Sequence, residues 1–72
     1  LGGTAPTVLN AANEIAVAAF LDEGLPYLKI SEVVESALNA LPSTAADSLE
    51  VILDIDAQSR QFANQFIRQM KR

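Results

Sequence analysis

Residues 4–21, TAPTVLNAANEIAVAAFL, carry the strongest helical pattern of the chain. The apolar residues of this stretch recur at spacings of three and four, which is the period of an amphipathic α-helix. Alanine is frequent in it, which favours helix formation and lets neighbouring backbones approach closely. Thr4 is placed to cap the helix, and Pro6 is tolerated in the first turn, where its missing N–H is not needed. We predict a helix over about 5–23, with a broad apolar face formed by Val8, Leu9, Ala12, Ile15, Ala16, Ala19 and Phe20.

The chain that follows predicts a helix end, a short connector and a second helix. Gly24 followed by Pro26 is typical of a helix C-terminus. Ser31 is a good N-cap, and Pro42 disfavours helical backbone in the residue before it. We therefore predict the second helix over about 32–41, with a buried stripe formed by Val33, Val34, Ala37, Leu38 and Leu41.

The last third of the chain predicts a long helix over about 48–70. Asp47 can cap it, and Glu50 stands three residues later in a capping-box arrangement. Residues 49–55 alternate as a strand would, but no second strand-like run exists to pair with them. We interpret this run as a short helix or a kinked beginning of the last helix, with Asp54 as a second N-cap. The helix then carries one apolar stripe, which contains Ile55, Phe62, Ala63, Phe66, Ile67 and Met70.

Length and composition favour one small all-α domain. The chain has 72 residues, of which 50% are hydrophobic and 19% are charged, so it is not composed like a disordered segment. We predict a single helical domain over residues 1–72, a bundle of three main helices. Cysteine and histidine are absent. This excludes disulfides, thiolate and imidazole metal sites, and Ser-His or Cys-His catalytic dyads.

The charge is unevenly placed along the chain. The net charge is −4, all nine acids lie at or before Asp56, and four cations follow from Arg60 onward. An acidic chain repels nucleic acid and anionic membranes, so neither is expected as a partner. The cations of the last turns complement the helix dipole, and Asp56 and Arg60 stand one turn apart and can pair.

The first residues indicate a piece of a longer protein. Leu1-Gly2-Gly3 resembles the end of a helix whose body is missing. Three short amphipathic helices cover one another poorly, so without that preceding helix an apolar strip should be exposed. Such a strip favours self-association of the fragment.

Three polar residues of the first helix are the candidate site. Asn10, Asn13 and Glu14 share one face at spacings of three and four. Asparagine is a poor helix former, so two of them inside one helix need a reason. The face is either a polar contact with a partner surface or simply a solvated face, and the spacing leaves both interpretations open.

Two other patterns are better explained by helix capping than by a ligand. Residues 2–4 lead into a helix N-terminus that could hold a phosphate, but the lysine and spacing of a P-loop are absent. Asp54 and Asp56 resemble a carboxylate pair for Mg²⁺, yet two residues apart on a helix they point to different faces. We predict no metal site from them.

The tripeptide Asp47-Ser48-Leu49 offers an alternative function. Small, acidic, helical acyl carrier proteins carry phosphopantetheine on the serine of such a tripeptide at a helix start. In that family the serine begins the second helix, whereas here it precedes the last one. The alternative is an acyl-carrier-like helical domain with phosphopantetheine on Ser48.

A longer string of residues resembles one enzyme family. GGTAP at 2–6, LNAANE at 9–14 and AVAAFL at 16–21 closely resemble the start of the C-terminal helical domain of the 1-deoxy-D-xylulose 5-phosphate reductoisomerase family. The resemblance spans essentially the whole chain. It continues through the connector to Ile30, the helix at 31–41, the run 48–52, Asp56-Ala57 and Arg60, into the last helix. Ser59 departs from the family pattern, in which alanine is expected.

The resemblance implies an oxidoreductase of the non-mevalonate route to isoprenoids. That enzyme rearranges and reduces 1-deoxy-D-xylulose 5-phosphate to 2-C-methyl-D-erythritol 4-phosphate with NADPH and Mg²⁺, Mn²⁺ or Co²⁺. It is a homodimer with a Rossmann domain, a catalytic domain and this helical domain, cytoplasmic in bacteria and plastidic in plants.

The resemblance also implies that the fragment itself is structural. The dinucleotide fingerprint, the metal ligands and the phosphate-binding residues of the family belong to its other domains. No catalytic, cofactor-binding or metal-binding residue is therefore expected here, and the isolated fragment should be inactive. Asn10, Asn13 and Glu14 become candidate contacts with the catalytic domain of the same chain, whose backbone groups they can satisfy.

Overall fold

The computed structural model describes residues 3–70, which form three α-helices. α1 spans Ala5–Glu23, α2 spans Lys29–Ala40 and α3 spans Leu49–Met70. The predicted all-α class and the bundle of three helices are confirmed.

Two features of the sequence lie outside the described residues. They are the helix end expected at Leu1-Gly2 and the last two cations, Lys71 and Arg72. Within residues 3–70, no helix is both long and apolar enough to cross a membrane.

α1 is the central helix of the bundle, because α2 and α3 both pack mainly against it and less against each other. Small side chains form its buried side, where four alanines accompany Val8. Alanine at a contact lets two helix backbones lie close together. The rest of the buried core comes from the other two helices and one connector residue: Leu25, Val33, Ala37, Ala63 and Ile67.

α1 and α3 begin at the same end of the bundle. Gly3, just before α1, forms an antiparallel bridge with Ala45 in the loop before α3. α1 and α3 therefore run parallel, and α2 returns antiparallel to both. The bundle measures 37 × 17 × 17 Å.

The end of α1 follows the prediction. Gly24 adopts the left-handed conformation, with φ of 77°, which a residue without a Cβ reaches without strain. The backbone N–H groups of Gly24 and Leu25 both donate to the carbonyl oxygen of Ala19, the latter at 3.2 Å. Leu25 is thereby turned into the core, where only 4% of it is exposed.

The predicted start of α2 is wrong by about one turn. The helix begins at Lys29, whose N–H donates to the Pro26 carbonyl at 2.9 Å, so the turn after Pro26 leads straight into the helix. Ser31 lies inside α2 and donates its hydroxyl hydrogen to the Leu28 carbonyl at 3.4 Å, so it is not the N-cap. The other end agrees with the prediction, because α2 stops at Ala40, two residues before Pro42.

Two predicted caps of α3 are also wrong. Ser48, not Asp47, caps the helix, since its Oγ accepts the Val51 N–H at 3.3 Å. α3 runs unbroken through Asp54, whose carboxylate accepts a hydrogen bond from Gln58 at 2.8 Å instead of capping a second helix. Residues 49–55 alternate in sequence as a strand would but are helical, as expected for a run without a partner strand.

The predicted capping role of Thr4 is wrong for a different reason. Its backbone already has helical angles, with φ of −88° and ψ of −2°, and its side chain makes no capping hydrogen bond to α1. The hydroxyl oxygen accepts the Thr44 N–H instead, at 3.0 Å. The Thr4 hydroxyl, which was predicted to cap α1, therefore bonds to the backbone of a residue forty positions away.

Candidate interdomain face

The side of α1 that faces away from the other helices is also apolar. We call residues Leu9, Asn10, Asn13, Val17, Phe20 and Leu21 the outer face of α1. Leu9 is 48% exposed, Phe20 39% and Leu21 71%. A helix that is apolar on both sides is typical of a helix buried all round, whereas α1 is covered on one side only within residues 3–70. Because exposed apolar patches often mark interaction surfaces, the outer face of α1 is a candidate for one.

Two asparagines interrupt this apolar surface. Asn10 and Asn13 are exposed, and neither side chain has a hydrogen-bond partner among residues 3–70. Each amide offers two donors and an acceptor. A surface laid over the outer face of α1 would therefore find both apolar contact and hydrogen-bonding groups at fixed positions.

Glu14 differs from the two asparagines because it already has an internal partner. Its Oε1 accepts a hydrogen bond from Arg60 Nη2 at 2.9 Å, which joins α1 to α3. Arg60 Nε also donates to Asp56 Oδ1 at 2.6 Å, which confirms the predicted Asp56–Arg60 pair. The role of Glu14 as an interdomain contact stays a prediction, and the structure shows it first as a tie between two helices.

The electrostatics of this triad are simple. The hydrogen bonds to Asp56 and to Glu14 raise the pKa of the Arg60 guanidinium above its already high ordinary value. Arg60 is therefore charged throughout the biological pH range. The three side chains are partly exposed, so solvent screens the pairs and their contribution to stability is small.

An open groove of about 660 Å³ continues from the outer face of α1. Asn13 forms part of both, and the connector and α2 supply the other walls. The apolar lining consists of Tyr27, Leu28, Ile30, Val34 and Leu38, and Ser31 and Glu35 are the polar residues beside it.

Two residues of this groove were missed by the sequence reasoning, which treated the stretch from Tyr27 to Ile30 as a plain connector. Tyr27 is 69% exposed and Leu28 is 81% exposed. The Tyr27 ring packs edge-on against Phe20, with centroids 5.7 Å apart, so the connector extends the outer face of α1. The available signal was an aromatic and a leucine placed directly after a helix-ending proline.

The other residues considered as ligand-binding candidates are engaged within the bundle. Asp54 and Asp56 are engaged by Gln58 and Arg60, respectively. Across residues 3–70, no three acidic, histidine or cysteine side chains come together as a metal site would require. Thr4 is fully buried, so its hydroxyl is not open to a phosphate.

Comparison with known proteins assigns the family. The family model described as the DXP reductoisomerase C-terminal domain matches residues 1–62. The chain belongs to this family. It is 53% identical over 70 residues to the 1-deoxy-D-xylulose 5-phosphate reductoisomerase of Dechloromonas aromatica, covering 97% of this chain and 18% of that protein.

Two further relatives carry the same name. The protein of Acinetobacter baumannii strain SDF is 55% identical over 67 residues, which is 93% of this chain and 17% of the relative. That of Pseudomonas savastanoi pv. phaseolicola is 46% identical over 71 residues, which is 99% of this chain and 18% of the relative. The chain thus spans less than a fifth of the length of the curated relatives it matches.

The family membership also bears on Ser48. Its hydroxyl oxygen serves as the N-cap of α3, which accounts for a serine at this position. The comparisons give no support to the alternative of an acyl carrier protein.

Proposed function

We propose that this chain is the C-terminal structural domain of a 1-deoxy-D-xylulose 5-phosphate reductoisomerase and braces the catalytic part of that enzyme. The observation that supports the proposal is the outer face of α1, which is apolar and exposed and carries two asparagines that have no hydrogen-bond partner among residues 3–70. The occupant we infer is the catalytic domain of the same polypeptide. The length of the relatives supports this, since more than four-fifths of each lies beyond the stretch that this chain matches.

The outer face has the chemistry of such an interface. Leu9 and Phe20 offer apolar area at either end of the helix, and Asn13 between them offers hydrogen bonds. Interfaces between domains of one chain combine apolar contact with polar groups in this way. Burying the face would remove apolar area from water and order both asparagines at the same time.

The proposed reaction belongs to the longer protein. It is the NADPH-dependent rearrangement and reduction of 1-deoxy-D-xylulose 5-phosphate to 2-C-methyl-D-erythritol 4-phosphate, in the cytoplasm of a bacterium and by a homodimer. The residues described here do not fit the divalent metal that the family uses, because no suitable donors gather among them. We place NADPH, metal and substrate in the other domains, and the isolated chain is proposed to be inactive.

Bracing can affect catalysis at a distance. A reacting group displaced by about 1 Å loses on the order of a hundredfold in rate, so an element that fixes the catalytic domain also fixes its activity. The role proposed for α1 is of this kind, and Asn13 is its most central polar residue.

The test uses a chimera, namely the full-length Dechloromonas aromatica reductoisomerase with its matching C-terminal stretch replaced by this chain. Asn13→Ala in the chimera is expected to lower both the melting temperature and kcat. Asn39→Ala is the matched control, because Asn39 is an exposed helical asparagine at the end of α2, so both variants gain the same helix propensity. Equal activity and equal melting temperature of the two variants would contradict the proposal.

A further inference from the structure

The segment before α1 is fastened to the loop before α3. We call Gly3, Thr4, Ser43, Thr44 and Ala45 the latch. Gly3 and Ala45 form an antiparallel bridge, and Thr4 N–H donates to the Thr44 carbonyl oxygen at 2.9 Å. Thr44 N–H returns a hydrogen bond to Thr4 Oγ1 at 3.0 Å. The pair joins residues forty positions apart in sequence.

Thr4 is the buried centre of the latch. None of its surface is exposed, although the latch residues of the loop are open to solvent. Its hydroxyl lies 3.5 Å from the Thr44 hydroxyl and accepts the Thr44 N–H, so the buried oxygen is satisfied. If the Thr4 hydroxyl were removed, the Thr44 N–H would lose its hydrogen-bond partner.

The loop also supplies the cap that α1 lacks. Ser43 Oγ accepts a hydrogen bond from the Ala5 N–H at 3.3 Å. A free N–H group in the first turn of α1 is therefore capped by a side chain of the loop before α3. A Cβ at Gly3 would meet Ser43 Oγ, so a side chain at that position would require Ser43 to turn away from the Ala5 N–H. The start of α1 and the positions of Gly3 and Thr4 therefore depend on the same few contacts.

The position of the latch relates it to the outer face of α1. Leu9, the first residue of that face, is five residues beyond Thr4, which is about 8 Å along a helix axis. In a C-terminal domain the rest of the polypeptide comes before the domain. The chain would then enter the bundle through the latch, within one and a half turns of the surface proposed to receive the catalytic domain.

We propose that the latch fixes the direction in which the preceding part of the protein enters the bundle, and that Thr4 is a positioning residue for the catalytic domain. This inference rests on the function proposed above. The latch holds the chain at a defined angle on the end of the bundle where the outer face begins, so the catalytic domain meets that face in one orientation. A latch that served only to stabilise the bundle would leave this orientation to the interface alone.

The experiment measures orientation directly in the chimera. One spin label is placed on the catalytic domain and one at Gln65, an exposed residue of α3, and the distance distribution is recorded. Thr4→Val keeps the shape of the side chain and removes the acceptor for Thr44 N–H. It is expected to broaden the distribution at least twofold and to lower kcat several-fold, with little change in KM.

Three companion variants make the result decisive. Thr4→Ser restores the acceptor and should restore the narrow distribution. Thr44→Val is the matched control, because it keeps the backbone groups of Thr44 and should leave the distribution unchanged. Ser43→Ala removes only the cap on Ala5 N–H from the exposed side of the latch, and should broaden the distribution even if Thr4→Val does not fold.

Two outcomes would overturn the inference. If Thr4→Val and Ser43→Ala lower the melting temperature but leave the distance distribution and kcat unchanged well below that temperature, the latch only stabilises the bundle. If Thr44→Val broadens the distribution as much as Thr4→Val, the Thr4 acceptor has no special role. Failure of the proposed function is detected separately, if Asn13→Ala in a chimera with an unaltered latch leaves the activity unchanged.

Discussion

The two sides of α1 are both apolar, yet residues 3–70 cover only one of them. The inner side presents Val8, Ala12 and Ala16 to α2 and α3, and each of these residues is fully buried. The outer face presents Leu9 and Phe20, which remain about half and two-fifths exposed. The comparison teaches that helix propensity and spacing define an apolar helix, whereas the neighbours that are present decide which part of it becomes core.

The largest expected difference is between two adjacent residues, one from each side. Val8→Asp places an unpaired carboxylate in the core and should destabilise the domain by about 4 kcal/mol or more, close to the whole stability of so small a domain. Leu9→Asp places the same group in solvent and should leave the isolated chain folded. Circular dichroism against temperature measures the unfolding of both variants, and equal destabilisation by the two substitutions would show that the inner and outer sides of α1 do not differ in burial.

The open side also predicts self-association of the isolated chain. At high concentration, exposed leucine and aromatic side chains on the outer face should pair with those of a second copy. Light scattering should show a mass above the monomer's 7.7 kDa, and Leu9→Asp should return it to the monomer. A strict monomer at millimolar concentration would show that the outer face does not drive self-association of the isolated chain.

The triad of Glu14, Asp56 and Arg60 joins α1 to α3 at the edge of the covered side through charged groups rather than apolar contact. Arg60→Gln should lower stability by at most about 1 kcal/mol, and by less at high salt. The raised pKa of Arg60 means that its contribution is complete below the ordinary arginine pKa and is lost only as the pH rises through the higher folded value.

The pH dependence of this triad follows from that sign. The difference in melting temperature between the parent chain and Arg60→Gln should stay constant from pH 7 to pH 9. A difference that shrinks over this range would assign the stabilisation to some other titrating group.

The smallest effect is expected at Ser59, where the family pattern leads one to expect alanine. Ser59 is fully buried, and its hydroxyl hydrogen is donated to the Ile55 carbonyl at 2.7 Å. The Ile55 carbonyl also takes part in the backbone hydrogen bonds of α3, so it keeps a partner in Ser59→Ala. The substitution should therefore cost little stability, and alanine has the higher helix propensity. The melting temperature should change by no more than a degree or two, and a large drop would show that the buried hydroxyl has a structural role.

The bodies of the helices could be predicted from sequence, because three- and four-residue spacing is a local property. The spacing from Val8 to Ala19 was enough to define the body of α1, and the spacing from Phe62 to Ile67 defined only the second half of α3. Gly24 also revealed its function, since it stands at a helix end and a left-handed turn is what glycine allows without strain.

The helix starts were harder, because each is decided by contacts that the local sequence does not contain. Asp47 and Ser48 are both good caps, and only the geometry of the loop selects Ser48. Thr4 has the residue type of a cap but bonds to Thr44 instead. Nothing in the sequence around Thr44 indicates this contact. The latch was therefore invisible to spacing arguments.

The interdomain role of the candidate site stays a prediction. The two asparagines indicated one face of α1 from the sequence, and the structure leaves Asn10 and Asn13 exposed and without a hydrogen-bond partner among residues 3–70. Glu14 was grouped with them by spacing alone, and its partner Arg60, forty-six residues away, could not be foreseen.

Thiol labelling tests most directly whether the outer face of α1 is covered in the longer enzyme. The chain has no cysteine, so Leu9→Cys introduces one probe there, and Gln61→Cys provides a control on the side of α3 turned away from the core. Labelling is followed by mass spectrometry of the peptide in the dilute isolated chain and in the chimera. We expect Leu9→Cys to react at least tenfold more slowly in the chimera, whereas Gln61→Cys should react at the same rate in both proteins. If Leu9→Cys reacts at the same rate in the two proteins, the outer face of α1 is not covered in the longer enzyme.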